Sequence, residues 1–126
     1  MRAFHIIDTA PIRRLGKEYS PEDFDILCQI ISAISWKRKN GEIALVADNV
    51  ATEALGDIVK IYDKVYTLPD TSEIDNIAFW AGGKIYALAE QNAPCVMLDT
   101  DFIVWNKINF LKTCASIHKE EIVKAQ

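Results

Sequence analysis

Cys95-Val96-Met97-Leu98-Asp99-Thr100-Asp101 is a four-residue apolar run that ends in two aspartates separated by one residue. Bounded by Pro94 and Asp99, the run reads as a strand buried on both faces, with the carboxylates at its carboxyl end. Residues 3–7, apolar except for His5, read as a short buried strand and 43–47 as a continuous apolar one, and Asp8-Thr9 and Asp48-Asn49 follow them. Lys64 to Leu68 is a shorter strand stopped by Pro69, and Phe102 to Trp105 predicts a fifth.

Helical patterns separate these strands. Ser20-Pro21-Glu22-Asp23 is a helix start, with Ser as N-cap, Pro at the first position and acids in the first turn. Phe24, Leu27, Cys28, Ile31 and Ile34 then keep helical spacing to about Trp36, and Ile26, Ile30 and Ala33 add a second apolar flank. That spacing predicts a well-buried helix, closed by Lys37-Arg38-Lys39 and Asn40-Gly41. Residues 8–19 read as a loop and Val50 to Leu55 as a short helix. Asp75 begins a long helix whose Ile77, Ala78, Ala81, Ile85, Leu88 and Ala89 share a face, and the remainder beyond Ile108 is helical. The order β-α-β-α-β-α-β predicts one α/β domain over residues 1–126, a three-layer sandwich on a mostly parallel sheet. Ligands of such sheets bind beyond the carboxyl ends of the strands, where the acids gather here.

Composition removes other classes. Half of the 126 residues are apolar and a quarter are charged, which excludes a disordered chain. The net charge of −4 argues against a nucleic-acid partner. No apolar run approaches the roughly 20 residues that span a bilayer, and Phe4 to Ile7 is too short for a signal-peptide core. Three cysteines without CxxC spacing and two histidines fit a reduced compartment, hence a cytoplasmic protein, and not a structural zinc site. No Ser-His-Asp or Cys-His arrangement is present in the sequence order.

Asp99 and Asp101 supply hard oxygen ligands on one turn, the donor set by which Mg²⁺ or Mn²⁺ is held against a diphosphate. The competing reading is a strand end tied by Asx turns. Asp23-Phe24-Asp25 has the same spacing and serves a helix's first turn.

The segment Cys95 to Trp105 resembles the hydrophobic strand and DxD motif of GT-A-fold nucleotide-sugar glycosyltransferases. Phe79-Trp80-Ala81-Gly82-Gly83-Lys84-Ile85-Tyr86-Ala87-Leu88 is similar to the helix before that motif in bacterial glycosyltransferase-like proteins. The resemblance covers residues 3–110 and implies a GT-A, Rossmann-like nucleotide-binding half with strand order 3-2-1-4. It further implies a UDP-sugar-type donor over the first strands and Mn²⁺ or Mg²⁺ on Asp99 and Asp101. Base or ribose contacts would fall on Asp48 and Asn49, which otherwise read as a helix N-cap. Asp8 and Thr9 would touch the nucleotide or serve only to form the loop after the first strand, Thr100 would lie beside the nucleotide, and Lys84 would reach a phosphate or cover apolar surface with its stem. GT-A enzymes continue well beyond the DxD, whereas the chain runs 25 residues past Asp101, so a fragment or truncated member is expected.

The remaining candidates carry plainer readings. His5 is a core histidine with its nitrogens bonded, Arg13 and Arg14 are solvated or pair a diphosphate, and Gly82-Gly83 lies in mid-helix against the sheet. Trp36, Trp80 and Trp105 pack in the core or at edges. The alternative function is a non-catalytic or degenerate α/β interaction module. The apolar stretch Phe102 to Leu111 predicts a two-fold dimer through residues 102–117, unless a terminal helix, Ile108 to Val123, folds back over it.

Overall fold

The computed structural model of the chain describes residues 1–110. Four strands, β1 (Arg2–Ile7), β2 (Ile43–Ala47), β3 (Lys64–Thr67) and β4 (Cys95–Leu98), form one sheet in the order β3-β2-β1-β4. Every pairing is parallel, with His5 opposite Leu45 on one side and Leu98 on the other. The order is the one the resemblance implies, and it is equally the order of the first four strands in dinucleotide-binding sheets.

Alternation along the strands separates two cores. Ala3, Ile7, Ile43, Leu45 and Ala47 point to a face covered by Ala33 and Trp36 of α2 (Asp23–Lys39) and by Ala51 and Leu55 of α3 (Asn49–Leu55). Phe4, Ile6, Ala44 and Val46 point to the other face and meet Ala87 of α4 (Gly82–Ala89). Helical cover on both faces makes the molecule an α/β sandwich, as composition and strand pattern predict.

Several local expectations are corrected. Ala10–Arg14 is a short helix, α1, inside the stretch read as loop, because Pro11 is preset for a first turn and Gly16, at φ +73°, ends it. A 3-10 helix, Gly56–Ile61, extends α3. The helix expected from Asp75 begins at Gly82: Asp75 Oδ1 accepts from the backbone N–H of Ile77 and Ala78, and that capping closes a turn. Gly82 and Gly83 therefore open α4 and do not interrupt it. β4 is an edge strand in which only Leu98 is buried, since it has one hydrogen-bonded neighbour among the described residues. Residues 102–105 join no strand, and Ile108 to Phe110 are not helical. Residues 111–123 of the expected terminal helix, and the part of the dimer surface beyond Phe110, lie outside the described residues.

The largest correction concerns α2. Its buried residues are Gln29, Ser32, Ala33 and Trp36, whereas Phe24, Leu27 and Ile34 are exposed. The helix is rotated so that Trp36, wholly buried, donates its indole N–H to the Glu42 carbonyl, and two polar side chains enter the core. Trp36→Ala is expected to cost about 3–5 kcal/mol, the usual loss for a buried aromatic. Leu27→Ala, at an exposed site, is expected to stay within about 0.5 kcal/mol. Urea midpoints of the two variants check the rotation, and a reversed ranking would restore the sequence-based face.

Candidate functional site

Each strand of a parallel sheet ends on the same rim, and the acids that follow β1, β2 and β4 meet there. Two cavities open along it. One of about 380 Å³ lies beyond β1, β2 and β3, lined by Asp8, Arg13, Arg14, Asp48 and Asp70 among others. One of about 610 Å³ lies where the strand order reverses between β1 and β4. Asp8, Trp80, Lys84, Asp99, Thr100 and Asp101 line it, with Tyr19, Asp25 and Gln29 contributing from α2 and the preceding loop. Asp8 belongs to both walls.

Asp48 and Thr9 build the frame of the smaller cavity. Asp48 Oδ1 accepts from the Ala51 N–H at 2.9 Å and so caps α3. Its Oδ2 accepts from the backbone N–H and the hydroxyl of Thr9, both at 2.7 Å, and Arg13 Nε donates to that hydroxyl at 2.9 Å. Thr9 is wholly buried in these contacts. Asn49 is exposed and lines neither cavity. Arg14 donates to the carbonyls of Ser72 and Ile74, which fastens the loop after β3 across the mouth.

Asp8 accepts from the Ala10 N–H through Oδ1, while its buried Oδ2 has no hydrogen-bond partner among the described residues. Burial pushes its carboxyl up from the ordinary value; the Ala10 N–H opposes this and the negative Asp48 adds to it. Gly83 makes the arrangement possible. A Cβ there would meet Asp8 Oδ2 inside van der Waals contact and Cγ at 2.9 Å, so α4 can start against Asp8 only with glycine at that position. Gly83→Ala is expected to displace Asp8 or α4, and chemical-shift changes concentrated at residues 8–10 and 82–85 are the check.

On the opposite wall Lys84 donates to Asp99 Oδ1 and lies 5.7 Å from the centre of the Trp80 ring. Among the described residues no group of three or more His, Cys, Asp or Glu side chains is arranged for a metal ion. Asp99 and Asp101 nevertheless line one cavity with open volume beside them. Two carboxylates of this kind suit Mg²⁺ or Mn²⁺ that takes its other ligands from water and a diphosphate.

Behind the Asp99–Asp101 turn, His5 of β1 is wholly buried. Its Nδ1 is 2.7 Å from the Tyr62 hydroxyl and its Nε2 is 3.0 Å from Ser32 Oγ. Gln29 Nε2 donates to Tyr62 at 2.7 Å, and Ser32 donates to the Phe102 carbonyl at 2.6 Å. The sequence marks Asp25 only as a helix's first-turn acid and does not mark Tyr19, Gln29, Ser32 or Tyr62 as site residues. The one usable signal was Gln29, Ser32 and Trp36 sharing a helical face.

Burial holds His5 neutral, down to about 4 from 6.5, with the nearby Asp99 partly opposing the shift. An unfolded His5 binds its proton near pH 6.5 and the folded one near 4. The unfolded state therefore holds more protons through that window, and stability rises with pH across it. Stability is expected to fall by about 3 kcal/mol from this group between pH 6.5 and 4, read from urea midpoints. Asp8, whose carboxyl is pushed up, contributes the opposite slope in its own acid range, so the measurement is made in an Asp8→Asn background. A flat profile there would contradict a neutral buried imidazole.

Residues 12–122 match the model of a family of unknown function, DUF6734, and the chain belongs to that family. No curated protein matches the chain.

Proposed function

We propose that this member of DUF6734 is a nucleotide-sugar-binding domain of the GT-A glycosyltransferase kind, taking a UDP-sugar-type donor with Mn²⁺ or Mg²⁺. The observation that carries the reading is the convergence of Asp8, Lys84, Asp99, Thr100 and Asp101 on one 610 Å³ cavity at the strand-order reversal. Asp99 and Asp101 would hold the cation, with Thr100 between them on the turn. A bound divalent cation offsets the negative charge that grows on a departing nucleoside diphosphate. Lys84 is mobile enough on its four-carbon stem to leave Asp99 and place its ammonium beside the same charge. The smaller cavity, which shares Asp8 with the larger, would take the base and ribose, against Asp48 held in place by the buried Thr9 behind it.

Calorimetry tests the reading directly. UDP with Mn²⁺ is expected to bind, and Asp101→Asn to weaken binding by about tenfold or more, the effect of losing one charged ligand. Asn49→Ala is expected to bind as the parent does. Absence of binding, or equal binding by Asp101→Asn, would remove the reading.

A second reading, an interaction module, draws on a different observation. Phe102, Trp105 and Ile108 are exposed beside one another in sequence, with Trp105 at 69%. Such a patch is usually covered by association, here a two-fold dimer through the expected surface. Sedimentation equilibrium at micromolar concentration is expected to give a dimer that Trp105→Lys dissociates; an unaltered monomer would sink this reading.

A further inference from the structure

We propose that His5 and Ser32 are positioning residues that fix the Asp99-Thr100-Asp101 turn through the Phe102 carbonyl, an inference that rests on the reading of that turn as the ligand-holding edge of the larger cavity. The direction of every hydrogen bond in the buried chain follows from its last member. A carbonyl only accepts, so the Ser32 hydroxyl proton is committed to Phe102 O at 2.6 Å. Ser32 Oγ must then accept from His5, which places the imidazole proton on Nε2. Nδ1 is bare and accepts the Tyr62 proton, and the Tyr62 oxygen accepts from Gln29. One tautomer satisfies all five groups. The other would ask the single Ser32 proton to serve both the bare Nε2 at 3.0 Å and the Phe102 carbonyl at 2.6 Å, so one of these two contacts would have no proton between its atoms.

The tether acts where the sheet stops acting. β4 ends at Leu98, and residues 99–110 join no strand ladder. Phe102 is instead held through both of its backbone polar groups. Its N–H donates to the Asp99 carbonyl at 2.9 Å, closing the turn, and its carbonyl is bound to α2 through Ser32. His5 and Ser32 are wholly buried, so water does not compete for the bond between them, and the Ser32 end of the bond to Phe102 is held inside the core. His5 thus keeps the Ser32 proton pointing at Phe102, and Ser32 sets the distance between α2 and the carboxylate turn.

The full-length chain provides the test. Nitrogen chemical shifts of the wild-type imidazole at pH 7 are expected to show a protonated Nε2 and a bare Nδ1; a proton on Nδ1 would overturn the proposal without any variant. In Ser32→Ala, hydrogen exchange at the Phe102 amide is expected to accelerate about tenfold, the scale of one buried hydrogen bond, with β1 and β2 amides within about twofold. His5→Gln retains an N–H donor toward Ser32 and is expected to stay within about threefold of wild type. Unchanged exchange at Phe102 in Ser32→Ala would refute the tether. If wild type binds UDP with Mn²⁺, Ser32→Ala is expected to bind at least about fivefold more weakly at an unchanged stoichiometry, and equal affinity would count against the positioning role. If wild type binds no nucleotide, the functional reading fails while the tautomer and exchange results still decide the tether.

Discussion

Strand β1 runs between β2 and β4 with a core cluster on each face, so every polar atom it carries must be satisfied inside the protein. His5 is the demanding one. An imidazole at that depth needs a donor on one nitrogen and an acceptor on the other, and burial keeps it neutral to satisfy both. Tyr62 comes from the end of the segment after α3, and Ser32 and Gln29 come from α2. Meeting this one side chain therefore fixes how α2 lies on the sheet. It also brings in Phe102, and with it the turn that carries Asp99 and Asp101.

That requirement explains what the sequence made legible and what it concealed. The central strands were readable because a parallel sheet covered on both faces demands apolar runs, as in residues 43–47 and, around His5, residues 3–7. The orientation of α2 was not. Its apolar stripe, Phe24, Leu27 and Ile34, faces outward, and the inward face carries Gln29 and Ser32, which a hydrophobicity pattern assigns to solvent. Asp75 misled for another reason: an aspartate that accepts two backbone N–H groups serves an isolated turn as well as a helix.

The candidate site divides in the same way. Asp8, Asp48, Asp99, Thr100 and Asp101 were readable because strand ends of a parallel sheet share a rim. Lys84 came from its place beside the DxD-like segment in the resemblance. Tyr19, Asp25, Gln29 and Trp80 reach the larger cavity from the loop before α2, from α2 itself and from the turn before α4; Asp25 reads in the sequence as a first-turn acid and Trp80 as packing, and only the shared helical face hints at Gln29. Asn49 follows the same strand-end logic and still lies outside, because Asp48 turns the chain into α3 and leaves Asn49 on the exposed side. Lys84 pairs with Asp99, and Asp8 holds against the start of α4 an oxygen with no hydrogen-bond partner among the described residues.

The proposed role requires the cation and nucleotide to sit between the ends of β1 and β4, and paramagnetic broadening reads that location directly. With substoichiometric Mn²⁺ and excess UDP, amide signals of residues 8–10, 84 and 99–102 are expected to broaden first, while those of α2 beyond Trp36 and of the exposed edge β3 persist. Broadening that begins at β3 or at Lys37–Lys39, or that is unchanged by removing UDP, would contradict the account.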